Sequence, residues 1–187
     1  MGHFEIYETP ISGLKVLEKQ PIKDARGFFE RVFCQALLEF ILQGKAVRQV
    51  NRTLTLERGT VRGMHFQHPP HAEVKLVSCV RGEVFDVAVD LREGSPTFLQ
   101  WHGEVLSESN HRTMVIPEGF AHGFQTLTAN CELLYFHTAE YRVESEGGIN
   151  ATDPKIGINW PCRVSTRSER DAGQAMLSDD FTGLRVA

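Results

Sequence analysis

The chain has 187 residues, with 20 Lys and Arg against 24 Asp and Glu, a net charge of -4 and an isoelectric point near 6.1. That balance lacks the basic footprint of a nucleic-acid binder, and no apolar run reaches the length of a membrane span. Hydrophobic residues make up 41% of the chain, enough to build the core of one domain spanning 1–187.

In chain order, the N-terminal MGHFEIYETP has no apolar secretory core. The cysteines Cys34, Cys79, Cys131 and Cys162 show no C-x-x-C spacing. Free thiols in the cytoplasm are therefore expected. The spacing predicts a helix over 34–43, CQALLEFILQ, stopped by Gly44. From about 45 to 138 the chain reads as successive short strands, among them 74–80, 83–91, 98–106, 112–117 and 132–138. Gly, Pro, Asn and Ser punctuate them, the pattern of a sandwich or barrel. In EVFDVAVDL, Phe85, Val87, Val89 and Leu91 share one face. Val84, Asp86, Ala88 and Asp90 share the other, which suits a wall between a packed sheet and a polar cavity. From about 160 the chain turns polar and is expected to wrap the outside, with a short helix near 169–177.

Two motifs carry the chemistry. Gly59 is followed by five residues and His65, with Gln67 two positions on and Lys75 seven residues before Gly82. Pro117-x-Gly119-x-x-His122 follows later. This is the skeleton of the two cupin motifs with the metal ligands changed: Gln67 stands for a second His, and Lys75 for the Glu. A divalent cation prefers imidazoles and carboxylates, and an ammonium in the ligand set repels it. No metal and no other cofactor is expected. Lys75 is then an electrophile for a developing oxyanion, and His65 is free to act as a base. His68, His71 and Glu73 are the rival metal set; the turn-like HPPH loop makes them loop residues instead.

The segments DARGFFE (24–30), QVN (49–51), VRGMHFQ (61–67), KLVSCVRGEVFDVAVDLREGSPTF (75–98), IPEGFAHGF (116–124), LLYFHT (133–138) and SEGGI (145–149) resemble the dTDP-4-dehydrorhamnose 3,5-epimerase family. The resemblance covers nearly the whole chain. It implies an all-β fold, a cupin jelly-roll β-barrel with short peripheral helices, in a homodimer that exchanges a strand. It also implies inversion of carbons 3 and 5 of a nucleoside-diphosphate 4-keto-6-deoxyhexose through an enolate. By motif, His65 resembles the base, Asp171 its orienting carboxylate, Lys75 the enolate stabiliser and Tyr135 the acid. Arg26, Gln49, Asn51, Arg62, His122, Glu146 and Arg170 match the family's substrate contacts, Arg26 reaching in from the partner subunit.

Strict alternation puts Arg62 and His65 on opposite faces of their strand, so both reach one pocket only if Gly63 permits a bulge. Three positions depart from the family pattern. Arg31 stands where a Glu is usual, with Glu30 one position early; Glu140 replaces the first ring of an aromatic pair, leaving Tyr141; Ala151 replaces a Trp. These departures leave open a single-site epimerase acting on another nucleotide such as a CDP-sugar. A sugar-nucleotide-binding cupin without catalysis is the alternative of another class.

Overall fold

The computed structural model describes residues 4–186. Two hairpins open the chain: β1 (Phe4–Glu8) with β2 (Lys15–Lys19), and β3 (Ile22–Asp24) with β4 (Gly27–Phe29). Helix α1 (Gln35–Leu42) follows, then β5 (Gln49–Thr55), β6 (Val61–Gln67), β7 (Lys75–Arg81) and β8 (Glu83–Asp90). The barrel is completed by β9 (Trp101–Ser107), β10 (Arg112–Ile116), β11 (Phe120–Thr126), β12 (Cys131–His137) and β13 (Glu146–Gly148), before the single turn of α2 (Glu169–Ala172).

Two antiparallel sheets face each other. One has the order β1-β2-β10-β7-β12-β5, the other β13-β6-β11-β8-β9. This is the all-β jelly roll that the family resemblance implies, within the sandwich or barrel that the strand pattern predicts. Alternation explains the packing. Val77 and Cys79 of β7, Leu133 and Tyr135 of β12, and Met114 of β10 turn inward from the first sheet. They meet Val84, Ala88, Leu106, Phe120 and Phe124 from the second. The opposite face of β8, carrying Val87 and Val89, packs outward on Ile149, Ala151, Ile156, Leu177 and Leu184. The C-terminal segment therefore does wrap the outside of the barrel.

Helix α1 covers the other sheet, burying Leu38 and Leu42 against Leu17, Leu76 and Val115. Leu42 is fully buried, so Leu42→Ala is worth about 2–5 kcal/mol of stability. Gln43 and Gly44 adopt the left-handed conformation that ends the helix.

Two predicted boundaries move. The helix near 169–177 is only Glu169–Ala172, because Asn150 bonds the carbonyls of Ala172 and Gln174 and draws the chain away after Gly173. The strand predicted to begin at 98 begins at Trp101, because Leu99, with φ 60°, folds back and donates its N–H to the Asp90 carbonyl at 2.8 Å.

Candidate active site

The site begins with an irregularity in β6. His65 pairs with His122 of β11, yet Arg62 pairs with Phe124, so three steps along β6 match two along β11. The extra residue is a bulge. Gly63 occupies it with φ 116°, and a Cβ there would lie 2.6 Å from Gly123 Cα and 2.7 Å from the His122 carbonyl. Only glycine fits. The bulge brings Arg62 and His65 to the same cavity, as the sequence required.

That cavity, about 200 Å³, lies between the two sheets. His65 and His122 line it from one sheet, with Arg62; Lys75, Tyr135, Asn51, Thr53 and His137 line it from the other. It adjoins a larger cleft of about 670 Å³ through Arg62 and His65, and that cleft reaches Arg170 and Asp171 on α2.

His65 Nε2 lies 2.7 Å from Asp171 Oδ1. The second oxygen, Oδ2, accepts the Gly63 N–H at 3.1 Å, and Ser168 caps α2 by accepting the Asp171 N–H at 3.0 Å. Burial works against the Asp171 carboxylate, but the hydrogen bonds of His65 and Gly63 outweigh it and hold its pKa below the ordinary range. An anionic Asp171 fixes the tautomer: Nε2 carries the hydrogen, and Nδ1 is the basic nitrogen.

Lys75 Nζ donates to the His65 carbonyl at 3.3 Å and lies 3.3 Å from Glu73 Oε1. Tyr135 is buried, its hydroxyl 3.5 Å from Thr53 Oγ1. Burial raises its pKa well above the usual phenol value, keeping the proton in place. His122 pairs with Asp86, Nε2 to Oδ1 at 2.7 Å.

At the rim, hydrogen bonds link five residues in series. Gln49 Oε1 accepts the Tyr141 N–H at 3.0 Å, the Tyr141 hydroxyl donates to Glu146 at 3.1 Å, and Arg170 donates to Glu146 at 2.8 Å. Gln49 also donates to Asn51 at 3.2 Å. Arg26 stands apart: it is exposed on the β3–β4 hairpin, paired with its own Asp24 and outside the cavity.

Among the described residues, no three His, Cys, Asp or Glu side chains gather in a metal-binding arrangement. Gln67 is spent on structure, donating to the carbonyls of His71 and Glu140 and accepting the Arg142 N–H. The rival trio disperses: His68 packs on Phe66, His71 bonds Ser145, and Glu73 turns to Lys75 and His137.

The dTDP-4-dehydrorhamnose 3,5-epimerase family profile matches residues 8–179. The chain belongs to this family. It is 41% identical to a dTDP-4-dehydrorhamnose 3,5-epimerase of Sinorhizobium fredii, over 96% of this chain and 95% of that one. It is 42% identical to the Salmonella typhimurium enzyme of the same name, over 92% and 94%. A crystal structure of the Legionella pneumophila dTDP-6-deoxy-D-glucose-3,5-epimerase, in complex with dTDP-4-keto-L-rhamnose, superposes with a TM-score of 0.91 at 40% identity, covering 99% of this chain and 100% of that one.

Within the family frame, the residues singled out by motif come together, Arg26 excepted. Three more line or back the cavity: Asp86 and His137, which sequence reasoning gave no role, and Glu73, which it placed only in the rival metal set. A period-of-two reading held the signal for two of them. Asp86 lies on the polar face of β8, and His137 is two residues after Tyr135 on the same face of β12. The departures also find places. Tyr141 keeps one ring at the rim, while Glu140 pairs outward with Arg142. Glu30 turns to Lys19 and His111 of its own barrel. Ala151 is buried, and its carbonyl accepts the indole N–H of Trp160 at 2.8 Å.

Proposed function

We propose that the chain inverts carbons 3 and 5 of dTDP-4-dehydro-6-deoxyglucose, the substrate type its relatives' names describe. The observation that carries this reading is the placement of a base and an acid on opposite sheets. His65 rises from β6 and Tyr135 from β12, with one sugar-sized cavity between them. The 4-ketone acidifies the hydrogens on its neighbouring carbons. His65 Nδ1 removes one, and Asp171 steadies the imidazolium that results. Negative charge moves to the 4-oxygen, where the ammonium of Lys75 meets it. Tyr135 returns a proton from the opposite face, inverting the carbon. Nothing is oxidised or reduced overall, so the step needs no redox partner.

Arg62 at the junction of cavity and cleft, with Arg170 at the rim, suits a diphosphate. The CDP-sugar, single-carbon and binding-only alternatives are not favoured: the relatives above are named as 3,5-epimerases of dTDP sugars. We further propose a homodimer in which Arg26 completes the partner's pocket. Exposed Ile22, Phe28 and Phe29 on the hairpin, and Val50 and Leu54 on edge strand β5, give it an apolar seam. The four unpaired cysteines suit the cytoplasm.

Proton NMR in heavy water with the keto-sugar nucleotide tests the reaction. Deuterium is expected at carbons 3 and 5; deuterium at carbon 3 alone refutes the double inversion. Light scattering tests the dimer, which a monomeric mass rejects.

A further inference from the structure

Behind Lys75 lies a buried carboxylate for which the mechanism above has no use. Glu73 precedes β7, and its side chain is 7% exposed. Its oxygens are divided: Oε1 is 3.3 Å from Lys75 Nζ, and Oε2 is 2.9 Å from His137 Nδ1. Lys75 and His137 are direct cross-strand partners on β7 and β12, and both line the sugar cavity. We infer that Glu73 is the positioning residue of the active site's ammonium, acting on Lys75 directly and on His137 as a second arm of the same clamp. This inference rests on the epimerase reading.

A lysine ends a flexible four-carbon stem. Left free, Nζ samples many positions, and an oxyanion stabiliser works only when it is fixed before charge develops. An ammonium has three donors. The His65 carbonyl takes one, and the Glu73 charge holds the ammonium from a second side at 3.3 Å, with donors left for the cavity that Lys75 lines. The clamp also ties Lys75 to the strand of the base, since the carbonyl that anchors it belongs to His65.

The second arm reaches the acid. The His137 ring stacks on Tyr135 at 6.1 Å between centroids and 19° between planes. Its Nε2 lies 3.4 Å from Asn51 Nδ2, at the cavity wall. One carboxylate thus holds the enolate stabiliser and the ring that packs on the proton donor. Burial pushes the Glu73 carboxyl up, but the hydrogen bond of His137 and the charge of Lys75 outweigh it, and its pKa stays below the ordinary value. The clamp is therefore anionic at neutral pH. Spacing gives no sign of this pair, because the partner of Glu73 on β12 is 64 residues away.

Glu73→Gln preserves shape and removes both the charge and one acceptor. Its amide has a single oxygen for two donors, so it cannot serve Lys75 and His137 together. The expected result is a fall in kcat of about tenfold to a hundredfold, with KM within about threefold of wild type, the mark of an interaction made in the transition state. In a Lys75→Ala background, Glu73→Gln has no ammonium left to position and is expected to lower kcat by less than about threefold further, the non-additivity of a residue that acts through its partner. A Glu73→Gln protein with a lowered Tm and wild-type kcat overturns the inference and leaves a structural salt bridge. So does a Lys75→Ala background in which Glu73→Gln costs as much as it does in wild type. Wild type is measured in parallel: if it turns over and Glu73→Gln matches it, the inference alone falls. If wild type exchanges no proton, the epimerase reading falls and takes the inference with it.

Discussion

The cavity is lined by two histidines on adjacent strands, each paired with an aspartate, and the differences between the pairs favour His65 as the proposed base. His65 and His122 face each other in register across β6 and β11, and each has a carboxylate oxygen 2.7 Å from Nε2. The carboxylates differ. Asp171 uses both oxygens, accepting from His65 and from the Gly63 N–H, and is held below the ordinary pKa. Asp86 is fully buried, its Oδ2 has no hydrogen-bond partner, and burial lifts its pKa despite the pull of His122 and Lys75. A carboxyl that resists ionisation is a poor stabiliser of an imidazolium. Exposure differs as well: the His65 side chain is 30% exposed toward the cleft, and that of His122 7%. These differences suit the first pair to the proton transfer proposed for it, and the second to a fixed polar contact at the cavity wall.

The largest expected effect breaks the comparison if it fails. His65→Ala should lower kcat by about a thousandfold or more, within the usual span for removing a general base. His122→Ala should cost about tenfold to a hundredfold, falling mainly on KM. Equal losses in kcat, read by deuterium incorporation, would mean that both histidines move protons. Next come the carboxylates. Asp171→Asn should cost about a hundredfold in kcat, because an amide at that position stabilises the wrong tautomer. Asp86→Asn should cost less than about fivefold, because burial already works against the charge that the substitution removes.

What the sequence disclosed follows the range of its signals. The strands around β7, β8, β10 and β12 are legible because alternation is local. β11 falls within the stretch read as strands, but its bounds are not legible: FAHGFQT contains no β-branched residue before Thr126 and carries a Gly, though it is central in its sheet. Motifs single out His65, Lys75 and Tyr135, and the structure brings all three to one cavity. Spacing gives no sign of the pairing with Asp171, because it is 106 residues from His65, and such a contact exists only after the C-terminal segment has wrapped the barrel. The bulge was legible as a requirement, since Arg62 and His65 cannot otherwise share a pocket. That it rests on close approach of Gly63 to Gly123 appears only in three dimensions.

The smallest effect sharpens the comparison most, because the two carboxylates should respond to pH with opposite sign. A carboxyl with a depressed folded-state pKa adds stability above its unfolded pKa, near 3.9, and loses it as pH falls through the folded value. Asp171 is of this kind, with His65 and the nearby Arg170 favouring its charge. Asp171→Asn should therefore melt below wild type at pH 7, and the gap should close as pH drops below about 4. A carboxyl with a raised folded-state pKa binds its proton more tightly when folded, so it weakens the fold as pH rises from the unfolded pKa to the folded one. Asp86 is of that kind. Asp86→Asn should melt at or above wild type at pH 7, with the difference shrinking as pH falls. Thermal unfolding of the three proteins between pH 3 and pH 7 measures both trends (a range set by the unfolded carboxylate pKa, about 3.9). Parallel curves for the two variants would mean that the pairs are electrostatically alike, and the choice of His65 as base would then rest on exposure alone.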